Sequence, residues 1–74
     1  MLTEQQVKDA IIAAGIEADV SNIEPKDDLG DHGIDSMDFY NLFLELEEIG
    51  GKIIPDEDID KMNTIEAIIH FYSD

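Results

Sequence analysis

The chain has no cysteine. That excludes a disulfide framework and any thiolate metal site, so thiol chemistry has to be imported from outside the polypeptide. With 74 residues, a domain buries a modest fraction of its surface and is marginally stable without such staples. Basic residues are scarce: four Lys and Arg stand against nineteen Asp and Glu, for a formal net charge of −15. A surface of this sign repels nucleic acid and anionic membrane and attracts basic protein surfaces. No apolar stretch approaches the length of a membrane span. The opening M-L-T-E-Q-Q lacks the basic-then-apolar pattern of a secretory signal. A cytoplasmic location and no membrane insertion are therefore expected. Internal repeats, low-complexity tracts and linkers are also missing, so residues 1–74 are expected to form a single domain. No segment shows convincing strand alternation.

What is present is helical. Thr3 with Gln6 fits a capping box. Val7, Ala10, Ile11 and Ala14 then recur at helical spacing. Gly15 supplies a left-handed residue to stop the helix, and Ile16 can fold back on it, which predicts a helix over about 4–14. From Ile16 to Ile34 the pattern dissolves into a long loop, with Val20, Ile23 and Leu29 as its anchors. Asp35 opens a second helix as N-cap, with Asp38 as a weaker third-position partner, and Gly50-Gly51 closes it. Ile53-Ile54-Pro55 reads as extended. Asp56–Met62 allows a turn or two of helix with Ile59 and Met62 inward, and Asn63 with Glu66 forms another candidate capping box. Ile65, Ile68, Ile69 and Tyr72 complete a last helix. The fold class is all-α, with three main helices and one short one.

On a wheel of about 100° per residue, Phe39, Leu42, Phe43, Leu46 and Ile49 share one face of the second helix. Met37 and Leu44 point elsewhere and share a second stripe with Asn41 and Glu48. Asp38 and Glu45 flank that stripe on one side, Tyr40 and Glu47 on the other. An apolar strip bordered by acids suits docking onto a basic rim with an apolar socket. The alternative is that Met37 and Leu44 pack beneath the long loop.

Ser36 sits between acidic residues at the start of this helix, in the run G-I-D-S-M-D. Its position alone leaves two readings open. The hydroxyl can be a cap or spacer, or it can carry a group near the positive end of the helix dipole, where anions are favoured. Asp35 and Asp38 partly oppose the second reading with their own charge.

The run G-I-D-S-M-D, a helix ending L-E-L-E-E, and the later stretch I-I-P-D-E-D-I-D-K-M-N-T-I together resemble the acyl carrier protein family. The resemblance runs over the whole chain and is most specific from Gly33 to Ile65. It implies a four-helix bundle of three long helices and a short third one. It also implies covalent attachment of 4′-phosphopantetheine to Ser36, beside Asp35, by a separate phosphopantetheinyl transferase. The arm's thiol would carry acyl groups as thioesters, which answers the missing cysteine, and the carrier itself would catalyse nothing. By the same resemblance the docking surface is Asp35, Met37, Asp38, Asn41, Leu44, Glu47 and Glu48. Its partners would be acyl-processing enzymes or acyl and aminoacyl ligases with basic docking surfaces, met by a monomeric carrier. The family's usual aliphatic-glycine pair before Asp-Ser is replaced here by His32-Gly33, with Leu29-Gly30 three residues earlier. Asn41 stands at a stripe position that is often acidic. Phe39, Tyr40 and Phe43 are bulkier than the family's usual residues and are expected to fill the interior that would shelter a chain. This points to a specialised carrier for fatty-acid, lipid or polyketide-type biosynthesis rather than the housekeeping fatty-acid carrier. An aminoacyl or peptidyl carrier is the alternative within the class, and an unmodified acidic helical adaptor the alternative outside it.

Other chemistry is weaker. His32, Asp35 and Ser36 hold the letters of a catalytic triad without a nucleophile elbow or an oxyanion site. His32 is expected to be an exposed loop residue and His70 a surface residue of the last helix. Asp56, Asp58 and Asp60 imitate a calcium loop, but the sixth position is Lys61 and the twelfth Ala67. Loose divalent binding by the acidic clusters would be structural. The self-repulsion of so acidic a chain generates one prediction. Raising salt from a few millimolar to about 0.15 M should raise the thermal midpoint by screening. A midpoint that stays level or falls would contradict it.

Overall fold

The computed structural model describes residues 2–73. Four α-helices follow one another: α1 (Glu4–Ala13), α2 (Ser36–Gly50), α3 (Asp56–Ile59) and α4 (Ile65–Tyr72). Two 3₁₀ turns, Val20–Asn22 and Leu29–His32, lie in the long loop between α1 and α2. The described residues contain no strand.

α1 starts where the sequence says it should. Gln6 N–H donates to Thr3 Oγ1 at 3.2 Å, and Thr3 N–H donates to Gln6 Oε1 at 2.9 Å. It ends in a Schellman turn. Gly15 takes φ +78°, its N–H donates to the Ile12 carbonyl, and Ile16 N–H reaches back to Ile11. The turn delivers Ile16 into the core that Ile11 already occupies.

The core lies where α1, α2 and α4 meet. α1 contributes Val7, Ala10 and Ile11; α2 contributes Leu42, Phe43 and Leu46; α4 contributes Ile65, Ile68 and Tyr72. Each fully buried aliphatic side chain contributes roughly 1.5–3 kcal/mol through removal of apolar surface from water. The loop is part of this core rather than a cover over it. Ile23 and Leu29 are buried as expected, and Val20 packs partly against them. Backbone bonds staple the loop to the far end of the chain. Leu29 N–H donates to the Asn63 carbonyl at 2.8 Å, and Glu66 N–H donates to the Pro25 carbonyl at 2.9 Å.

Several expectations change. The cap of α4 is Thr64, not Asn63: Ala67 N–H donates to Thr64 Oγ1 at 3.0 Å, while Asn63 spends its carbonyl on the loop. Ile59 is 37 % exposed, because α3 stops after one turn and Met62, beyond its end, makes the anchor instead. Ile49 is half exposed over a shallow depression with Leu2, Gln6 and Tyr72. Of the three aromatics expected to fill the interior, only Phe43 is buried. Phe39 is half-buried and Tyr40 is 65 % exposed.

The end of α2 is fixed by a close approach. A Cβ at Gly50 would stand 2.5 Å from Tyr72 Cε1. The Tyr72 hydroxyl donates to the Lys52 carbonyl at 2.9 Å. Burial, and then the charge of Glu47, push its pKa up to about 12. Lys52 closes the corner, its ammonium 4.3 Å from the Phe71 ring centroid and bonded to the Phe71 carbonyl. Gly50→Ala should therefore destabilise the fold by about 1–3 kcal/mol through overpacking, despite a helix-propensity gain of up to about 1 kcal/mol. An unchanged or raised thermal midpoint would show that the tyrosine yields without cost.

Candidate functional site

The start of α2 is built by three consecutive residues with different jobs. Gly33, at φ +85°, turns the chain out of the Leu29–His32 turn. That left-handed conformation costs glycine nothing and most other residues a steric penalty. Ile34 is then buried to 3 % exposure and pins the segment to the core. Asp35 follows in extended conformation and caps the helix. Asp38 N–H donates to Asp35 Oδ1 at 2.9 Å, and Asp35 N–H donates to Asp38 Oδ2 at 3.4 Å. Ile34 escaped the sequence reading, although an apolar residue between a turn glycine and a cap is a fair signal of such a pin.

Ser36 is consequently the first helical residue and not the cap. It is exposed, and no side-chain hydrogen bond among the described residues engages its hydroxyl. His32 is not its base. The imidazole is half-buried and its Nε2 lies 3.0 Å from Asp27 Oδ2. This corrects the expectation of an exposed loop histidine: the loop folds back so that Asp27 can hold it. Asp27 also accepts from Glu24 N–H at 3.0 Å. That backbone bond, and then the histidine bond, hold its carboxyl below its ordinary value of 3.8. His70 is exposed on α4, as expected.

A cleft of about 420 Å³ opens beside Ser36. Phe39, Tyr40 and Phe43 line it from α2, and Ile59, Asp60, Met62 and Asn63 from α3 and the residues after it. A larger groove of about 700 Å³ lies between α3 and α4, among Lys52, Lys61 and His70, and does not include Ser36.

The expected strip on α2 is largely open to solvent. Met37 is 72 % and Leu44 48 % exposed, and Asn41 and Glu48 are exposed beside them. Packing beneath the loop is thereby excluded for Met37 and Leu44. Two of the acids differ from free docking charges. Glu47 is half-buried and its Oε2 accepts the Ile54 N–H at 2.9 Å, holding the connection to α3. Asp38 is half-buried and shares its carboxylate with the cap. Among the described residues, no lysine forms an ion pair with an acid of α2. Nor do three His, Asp or Glu side chains converge anywhere in them as a metal site, so the acidic run of α3 provides no defined place for a divalent cation.

This geometry suits a scaffold that is acted upon: among the described residues, an uncommitted hydroxyl on a capped helix end, a cleft beside it, and a histidine, His32, that is held by Asp27 instead. The family model described as Phosphopantetheine attachment site matches residues 6–72. The chain belongs to the phosphopantetheine-binding carrier protein family. It is a non-catalytic carrier whose prosthetic group is 4′-phosphopantetheine, and carriers of this kind are modified by phosphopantetheinyl transferases. Among the described residues, no helix is long and apolar enough to cross a membrane.

The residues around Ser36 fit that group. The free hydroxyl can form a phosphodiester, the first-turn N–H groups face the same end, and the mostly apolar cleft can take part of an arm. Dipole stabilisation of an anion at this helix end, about 0.3–1 kcal/mol, is opposed by the nearby carboxylates of Asp35 and Asp38, and exposure is the clearer feature of this hydroxyl.

The lowered carboxyl of Asp27 yields a pH prediction. Its folded-state value is depressed, so its contribution is present above the ordinary 3.8 and is lost as pH falls through the folded value. Asp27→Asn should lower the thermal midpoint at neutral pH, with the gap narrowing as the parent is acidified below 3.8. A gap that stays constant through the acid range would contradict this.

Proposed function

We propose that Ser36 is the attachment point and that the chain is a monomeric, cytoplasmic acyl carrier. The observation that carries the assignment is the division of labour at the start of α2: Asp35 caps, and Ser36 is left exposed with a free hydroxyl. In the transfer, Ser36 Oγ attacks the phosphorus of coenzyme A that bears pantetheine. The pyrophosphate P–O bond breaks, adenosine 3′,5′-bisphosphate leaves, and the serine proton passes to a base on the transferase. The bound arm supplies a terminal thiol for thioester formation. This chain's own residues hold the anchor rigid, keep it clear of the core and present it to partner enzymes.

Docking falls to the strip of Met37, Asn41, Leu44 and Glu48, with the charges of Asp35, Asp38 and Glu47 behind it. The apolar residues enter a socket and the acids steer toward a basic rim. Glu48 is the most available charge, since Asp35, Asp38 and Glu47 already accept backbone bonds. The cleft beside Ser36 is open to solvent and the interior is filled by Leu42, Leu46, Ile65 and Ile68. A compact cargo held at the surface follows, as in a specialised carrier of fatty-acid, lipid or polyketide-type biosynthesis.

Two measurements test this reading. Incubation with coenzyme A and a promiscuous phosphopantetheinyl transferase should add one phosphopantetheinyl mass, and Ser36→Ala should abolish the addition. Retention of the adduct by the variant would remove Ser36 from its role. Glu48→Lys should slow turnover of the loaded carrier by partner enzymes, by about two- to fivefold at low salt and less at high salt. Equal turnover at low salt would remove Glu48 from the docking face.

A further inference from the structure

A polar tie crosses the loop just before α2, and nothing described so far uses it. Asp27 is a fixed post. Its N–H donates to the Glu24 carbonyl and its Oδ2 accepts the Glu24 N–H, both at 3.0 Å, so the turn 24–27 is closed from both ends. Within that turn the Pro25 carbonyl accepts the Glu66 N–H of α4 at 2.9 Å. The post is thereby bonded to the bundle. From there the same Oδ2 holds the imidazole of His32, whose Nε2 lies 3.0 Å away. The His32 side chain is only 24 % exposed, so water competes for this bond in part.

What the tie restrains is a short stretch beside Ser36. Leu29 is buried and its N–H is bonded to the Asn63 carbonyl, which holds the start of the turn. Ile34 is buried and holds the far side. Between them run Gly30, Asp31, His32 and Gly33, two of them glycines, the residue that restricts its own backbone least. Asp31 and Gly33 are exposed. Among the described residues, His32 is the one side chain of the stretch 30–33 that makes a hydrogen bond, and it stands four positions before Ser36.

We infer that His32, held by Asp27, is a positioning residue for loading: it keeps the stretch 30–33 in one conformation, over which a transferase can close on Ser36. The inference rests on Ser36 being the attachment point. A segment ordered in advance has little freedom left to lose on docking, whereas a loose one gives up backbone and side-chain entropy at that moment. The effect therefore falls on binding of the carrier and not on the chemical step. Ser36 Oγ, on a helix start capped independently by Asp35, reacts as before once the complex has formed.

The test measures steady-state loading, with the full chain as the varied substrate, coenzyme A in excess and a promiscuous transferase. The temperature is kept well below the thermal midpoint of every variant. His32→Ala should raise KM by about two- to tenfold and leave kcat unchanged. His32→Gln should recover most of the parent's KM, because its Nε2 stands the same number of bonds from the backbone and still donates to Asp27. Amide hydrogen exchange gives a local readout. The Gly33 N–H, bonded to the Gly30 carbonyl, should exchange about two- to tenfold faster in His32→Ala, and the Asp38 N–H of the cap should not. Gly50→Ala, at the other end of α2, weakens the fold without touching the tie and should leave KM at the parent's value. An unchanged KM in His32→Ala, a loss confined to kcat, no recovery in His32→Gln, or an equal rise in Gly50→Ala would each overturn the inference while leaving attachment at Ser36 intact. Should His32→Ala fail to fold, Asp27→Asn takes its place, and an unchanged KM there overturns the inference in the same way. A parent that accepts no phosphopantetheinyl group would overturn both.

Discussion

The reciprocal bonds between Asp35 and Asp38 set the terms for everything at this end of the molecule. A helix start leaves backbone N–H groups that need acceptors. Had Ser36 supplied one, its hydroxyl would have been spent on structure. Asp35 takes that role from one residue earlier, at 2.9 Å to Asp38 N–H. Ile34 pins the preceding residue inward, and Gly33 allows the turn that makes both placements compatible. The result is a capped helix end with an uncommitted hydroxyl on its first residue.

The acidity of the chain has two distinct uses. Some carboxylates are internal acceptors: Asp19, Asp27, Asp28 and Asp35 bond backbone N–H groups of the loop and the α2 start, and Glu47 bonds the connection to α3. They do for a loop of little regular structure what a ladder or helix would do elsewhere. Others, Glu48 among them, are exposed on the open face of α2. Salt should weaken the second group's effect more than the first's, because short hydrogen bonds are screened far less than exposed charges.

Local features were legible in the sequence. The capping boxes of α1 and α2 follow from side chains three residues apart, and the Schellman end of α1 follows from Gly15 and Ile16. The exposed strip of Met37 and Leu44 follows from helical periodicity. What escaped depends on distant partners. The bonds of Leu29 to Asn63 and of Glu66 to Pro25 join segments far apart in the chain, and they explain why Thr64, not Asn63, caps α4. Ile59 lines the open cleft rather than the core because α3 stops after one turn, which periodicity does not foresee. Glu47 reads as a surface acid on the wheel, yet the return of the chain at Ile54 gives it an internal donor. At the candidate site, the position of Ser36 as the first helical residue was legible. The cleft beside it was not, since its walls come from α2 and from residues some twenty positions later.

Site-localised tandem mass spectrometry of the modified chain tests the central claim most directly, because Ser21 and Ser73 offer hydroxyls as well. The account predicts a single phosphopantetheinyl group on the fragment containing Ser36 and none on the other serines. A group found on Ser21 or Ser73, or spread among them, would contradict it.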